Sequence, residues 1–169
     1  MTQIYGRILV PVDGSPTSDK GLQEAIKIAK ALGSTLRIVH VVDELVVDYS
    51  GIGGTNYYYS GDIIEGLREG GKKVLANAEA VVRKGGLEPE AVLLEAIGGP
   101  SSRLIVAQAQ EWPADLIVMG THGRGAVAHL LMGSVAERVV RTAPCPVLTV
   151  RHPEHGFVMP DALVTTTQA

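Results

Sequence analysis

Five short runs of branched apolar residues alternate along this chain with segments of helical periodicity, and that alternation limits the fold more than any other feature. The runs are Arg7–Val12 (RILVPV), Thr35–Val42 (TLRIVHVV), Ala91–Ala96 (AVLLEA), Asp115–Met119 (DLIVM) and Val147–Val150 (VLTV). Branching at Cβ favours extended backbone, and runs that are apolar throughout suit strands covered on both faces. Strands joined by helical crossovers pair in parallel.

The segments between the runs carry helix signals. Ser18 is placed to cap a first helix in which Leu22, Ala25, Ile26 and Ala29 follow helical spacing, and Gly33 stops it. A long helix is expected from Asp62 to about Lys84, with Ile64, Leu67, Val74, Ala78 and Val81 along one side and Gly85-Gly86 at its end. Ser102–Glu111 forms a third, and Ser134–Arg141 a fourth with Val135, Ala136, Val139 and Val140 facing inward. The expected architecture is α/β: a single-domain, open, five-stranded parallel sheet with helices on both faces, Rossmann-like. That domain spans residues 1–151, and His152–Ala169 is a polar tail without periodicity.

Asp43–Gly61 differs in character. It is rich in Gly, Ser, Asn and Tyr and holds Tyr49, Tyr57, Tyr58 and Tyr59. This reads as a long loop, either a lid or contact surface or a tolerated insertion.

Composition closes off several classes of function. With 169 residues and 46% apolar content, the chain is expected to bury a core rather than stay disordered. A net charge of −3 offers no basic field for nucleic acid or anionic lipid, so any phosphate must be gripped locally. No apolar run approaches the roughly 20 residues needed to cross a bilayer. The lone Cys145 excludes an internal disulfide framework and suits a reducing compartment, and no secretory pattern precedes the first strand. A soluble, cytoplasmic protein is expected.

The residues that carry chemistry lie in Leu116–Arg138 (LIVMGTHGRGAVAHLLMGSVAER). The fourth strand stops at Gly120, the loop Gly120-Thr121-His122-Gly123 follows, and Gly133-Ser134 opens the last helix. Glycine lets backbone approach an anion, and a helix N-terminus presents unpaired N–H groups with partial positive charge. Such a terminus contributes about 0.3–1 kcal/mol toward an anion at an exposed site. The donors expected are the amides of Gly123, Gly133, Ser134 and Val135, with the Ser134 hydroxyl beside them. If strands one and four are neighbours, Asp13 emerges next to Gly120, where strand order reverses and ligands bind. Asp13 then grips a ribose diol, although Val-Asp-Gly-Ser-Pro is also an ordinary turn. Arg124 either reaches terminal phosphates or is a solvated loop arginine, and His122 is a lesser candidate.

Other patterns fail. Gly66–Lys73 approaches a Walker A loop, but Lys73 stands where Ser or Thr must meet magnesium, and the segment lies within a helical pattern. Asp13-Gly14-Ser15-Pro16 is not a dinucleotide fingerprint. His152 and His155 have metal-ligand spacing without further ligands nearby. Cys145 has no visible base beside it and reads as a small packed side chain. No nucleophile–base pair and no carboxylate cluster is apparent.

The spaced set Gly120-x2-Gly123-x9-Gly133-Ser134, the opening Ile8–Ser15 and the closing Val135–Val150 together resemble ATP-binding members of the universal stress protein family. The resemblance covers about Ile4–Arg151. It implies strand order 3-2-1-4-5, with Pro11, Val12, Val41 and Met119 bordering adenine and Asp13 holding the ribose. It further implies that Gly120, Gly123, Gly133, Ser134 and Val135 bind phosphates, with magnesium or manganese on them. A homodimer through the fifth strand is implied as well, which agrees with Val147–Val150 being an apolar edge. The leading expectation is a regulatory protein that binds ATP, AMP or a related adenine nucleotide. The alternatives are a slow ATP hydrolase or phosphoryl-transfer enzyme, or a dimeric scaffold with an empty site.

Overall fold

A computed structural model describes residues 4–43, 61–96, 99–122 and 132–152. The elements run β1 (Arg7–Pro11), α1 (Pro16–Leu32), β2 (Thr35–Asp43), α2 (Gly61–Lys84), β3 (Glu90–Ala96), α3 (Ser101–Glu111), β4 (Leu116–Gly120), α4 (Ser134–Thr142) and β5 (Val147–Val150). The strands form one parallel sheet in the order β3-β2-β1-β4-β5. This is the order the resemblance implied. The interior of the segment expected as a long loop, residues 44–60, lies outside the described residues, as does most of the tail. Among the described residues no helix is long and apolar enough to cross a membrane.

Alternation along the strands divides the core in two. Ile8, Val10, Leu36, Ile38, Leu116 and Val118 face α1 and α2, where Leu22, Ala25, Ile26, Leu75, Ala78 and Val82 meet them. Leu9, Val39, Ile117 and Met119 face α3 and α4, where Ile105, Ala109, Ala136 and Val139 meet them. Each central strand is thus buried on both sides, the condition under which near-continuous apolar runs are stable.

Three expectations shift. The buried stripe of α2 runs through Gly71, Leu75, Ala78 and Val82, while Val81 is 45% exposed. Gly71 sets this rotation. A Cβ there would lie 2.8–2.9 Å from Leu93, His40 and Val42, so the helix can seat on the sheet only with its bare backbone inward. In α4 only Ala136 and Val139 are buried, and Val135 and Val140 remain 37% and 46% exposed. A nine-residue helix on one sheet face buries a narrow i, i+3 stripe, and residues flanking it stay in solvent. Finally, α1 begins at Pro16 with Ser15, not Ser18, as its N-cap.

Candidate functional site

Strand order reverses between β1 and β4, whose chains leave β1 toward β2 and β4 toward β5. The carboxyl ends of these paired strands therefore open a crevice with no crossover above it. Asp13 follows β1 and Gly120 closes β4, so the structure brings both to that crevice.

The turn after β1 is built by side chains. Asp13 Oδ1 accepts the Ser15 amide at 2.9 Å, the Ser18 hydroxyl accepts the Asp13 amide at 3.0 Å, and the Ser15 hydroxyl accepts the Ser18 amide at 3.2 Å. Gly14, at φ +75°, supplies the left-handed step that a side chain would oppose. Asp13 is thus the turn aspartate of one sequence reading. The first turn of α1 carries Asp19, whose carboxyl is raised above the ordinary range by burial and then by the charge of Asp13.

Gly120 has a packing role. A Cβ on it would stand 2.9 Å from the Thr17 backbone, and a Cβ on Gly21 of α1 would stand 3.1 Å from the Gly120 nitrogen. The glycines let α1 and β4 touch, which draws the Asp13 turn against the end of β4.

Thr121, buried at 2% exposure, then ties three elements together. Its amide donates to Val150 O of β5 at 2.9 Å, and its carbonyl accepts the Gly133 amide at 2.7 Å. That second bond fixes the start of α4 beside the end of β4. It also commits the Gly133 N–H, so the first-turn amides that helix geometry leaves without an intrahelical acceptor are those of Ser134, Val135 and Ala136. No side chain caps α4, and Gly133 and both following residues are half-buried or exposed. The Thr121 hydroxyl also pairs with His122 Nδ1 at 3.0 Å. Nothing local in the sequence marks Thr121, because its partners lie far along the chain.

Of the residues expected around a base, Val41 and Met119 pack on the α3–α4 side, and alternation from Leu9 puts Pro11 on the same face. Val12 departs from this group. Its side chain is buried on the α1–α2 side, its amide donates to Val39 O, and its carbonyl accepts the His40 Nδ1 proton at 2.7 Å. His40 was missed by sequence reading; it is a buried packing histidine below Gly71. Gly123 and Arg124 lie outside the described residues, as does His155.

Among the described residues no group of three His, Cys, Asp or Glu side chains could hold a metal. Cys145 is half-buried, and burial followed by the Asp115 charge raises its thiol above the ordinary range. This makes it a poor nucleophile.

Residues 4–151 match the model of the universal stress protein family. The universal stress protein MJ0531 of Methanocaldococcus jannaschii is 36% identical over 151 residues, covering 89% of this chain and 85% of its own length. A universal stress protein from Archaeoglobus fulgidus, solved in complex with dAMP, aligns with a TM-score of 0.60 at 30% identity, covering 87% of this chain and 98% of that one. Another, solved in complex with cAMP, aligns with a TM-score of 0.63 at 26% identity, covering 87% and 97%. On the family match and the relative's identity, the chain belongs to the universal stress protein family.

Proposed function

We propose that this protein binds an adenine nucleotide, with ATP as the leading candidate, and acts through binding rather than turnover. The observation that carries the reading is the start of α4: a helix opened by glycine, capped by no side chain and set at the switch point beside Asp13. The amides of Ser134 and Val135 and the Ser134 hydroxyl hold phosphate oxygens, with Gly120 and Gly133 leaving space for them. By sequence, Gly123 and Arg124 complete the cradle. Asp13 accepts from the ribose hydroxyls. Pro11, Val41 and Met119 border the base, with Val12 behind them. A magnesium or manganese ion would be carried by the phosphates and supply charge neutralisation there. Relatives solved with dAMP and cAMP support the choice of an adenine ligand.

Occupancy of the cleft acts on conformation or partner choice in a cytoplasmic stress response. The outer edge of β5, where Leu148 is 40% exposed, pairs with a second copy of the chain, because an open apolar edge is a template for another strand.

Titration calorimetry of the full chain with ATP and with AMP tests the reading. Heat of binding is expected with wild type and is lost in Gly133→Val. Gly133 has φ −71°, which valine adopts, so circular dichroism should remain native, while the branched side chain crowds the first-turn amides. Absence of heat and of thermal shift with both nucleotides overturns it.

A further inference from the structure

We infer that His40 is a positioning residue for the nucleotide site: its ring holds the Val12–Asp13 peptide, and through that peptide the turn at the mouth of the cleft. The inference rests on the nucleotide-binding reading above and adds to it a buried residue that touches no ligand.

The sheet sets the place of His40. Leu36 and Ile38 face α1 and α2, and alternation along β2 puts His40 on the same face. The side chain is 8% exposed. The ring fits there because Gly71 of α2 has no side chain; a Cβ on Gly71 would stand 2.9 Å from the ring's Cδ2. Pro11 pairs with Val39, so the next residue of each chain brings Val12 level with His40. β1 ends at Pro11. The Val12 amide still donates to Val39 O at 2.8 Å, but the Val12 carbonyl is taken up by a side chain, with His40 Nδ1 2.7 Å away. A carbonyl oxygen only accepts, so Nδ1 carries the proton.

The same peptide is held at its other end. The Asp13 amide donates to the Ser18 hydroxyl at 3.0 Å. One planar unit is thus pinned by β2 at its oxygen and by α1 at its nitrogen. Its plane sets the direction in which the chain enters Asp13, and Gly14 at φ +75° continues the turn from there. Val12 and His40 are both buried, so water is a poor substitute for a lost donor. A carbonyl deprived of its proton there rotates toward another one, and Asp13 moves with it. The two pins differ in what they join. Ser18 ties the turn to its own helix, whereas His40 ties it to β2, the strand whose Val41 borders the proposed base. His40 therefore fixes the spacing between the part of the cleft assigned to the sugar and the part assigned to the base. Binding groups keep their geometry when neighbours beneath them are locked in this way.

The test is titration calorimetry with ATP on the full chain, comparing wild type, His40→Leu and His40→Asn, each checked for native circular dichroism. Leucine fills much of the ring's space but donates nothing. Asparagine is smaller, yet its amide nitrogen can stand where Nδ1 stands and donate to the same carbonyl. ATP affinity is expected to fall by on the order of tenfold in His40→Leu, the worth of about one hydrogen bond, and to be restored toward wild type in His40→Asn. Wild-type affinity in His40→Leu, or an equal loss in both variants, overturns the inference and leaves the cleft reading standing. If His40→Leu folds poorly, the ring proton decides. Proton–nitrogen NMR of wild type, with the His40 signals identified by their absence from His40→Asn, is expected to show Nδ1 protonated, and a bare Nδ1 overturns the inference. Failure of wild type to bind ATP removes the cleft reading and this inference together.

Discussion

Two helices begin at the same crevice, and they begin in opposite ways. α1 is closed by its own side chains: the Ser15 hydroxyl caps it, Asp13 and Ser18 brace the turn before it, and Thr17 and Ser18 are buried. Pro16 at its first position removes one donor outright. α4 is opened by Gly133, receives no side-chain cap, and leaves Ser134 and Val135 exposed. A helix start that satisfies its own amides is structural. One that is left without a side-chain cap is suited to an anionic ligand.

The largest effect is expected where α1 presses on β4. Gly120→Ala puts a methyl 2.9 Å from the Thr17 backbone, which cannot swing aside. Overpacking of this kind costs about 1–3 kcal/mol, readable as a lower melting temperature and urea midpoint. A native midpoint in that variant shows that the approach of α1 is loose and that the contrast between the helix starts has another origin.

Matched serine substitutions sharpen the comparison next. Ser15→Ala removes the cap of α1 and should destabilise the protein by about 1 kcal/mol with little change in nucleotide affinity. Ser134→Ala should leave stability within about 0.5 kcal/mol of wild type and weaken ATP binding several-fold. If the two variants exchange these phenotypes, the assignment of one structural and one ligand-facing helix start is wrong.

The smallest effect concerns charge at the start of α1. The Asp19 carboxyl is raised in the fold, by burial first and by Asp13 second. A carboxyl whose folded value lies above its unfolded value favours the fold while protonated, and that contribution is lost as pH rises through the folded value. Asp19→Asn should therefore gain stability relative to wild type at neutral pH, and the gain should fade on acidification below the carboxylate range. A gain of equal size at acidic pH would show that charge is not the cause.

Much of the fold was legible because its signals are local. The branched apolar runs lie within a residue or two of the strands that form, and Gly33 ends α1 in the left-handed conformation expected of it. The start of α1 was not read correctly: the cap was expected at Ser18, whereas Ser15 caps the helix and Pro16 opens it. Nor was the register of α2. Its inward face turns on Gly71, a residue without a side chain and hence without a hydrophobic signal, whose role exists only where Leu93, His40 and Val42 come to meet it.

The same division runs through the site. Asp13, Gly120, Gly133 and Ser134 stand out in the sequence because they fall at strand ends and a helix start, where turn and capping signals are local, and Val135 follows from the helix they open. Thr121, which joins β4 to β5 and to α4, does not stand out, since its backbone bonds are made by partners distant in sequence.

The chain by itself determined that five strands would alternate with four helices and that the ends of two of them would carry glycine-bearing turns. Backbone propensity and apolar periodicity act between near neighbours, so they can be read from a line of residues. That α1 seals its own start is likewise local, in Asp13, Ser15 and Ser18; that the uncapped start of α4 would lie at the same end of the sheet was decided only when α1 settled on Gly120 and Thr121 drew Gly133 beside β4. Those are contacts between surfaces, and surfaces exist only once the chain has folded.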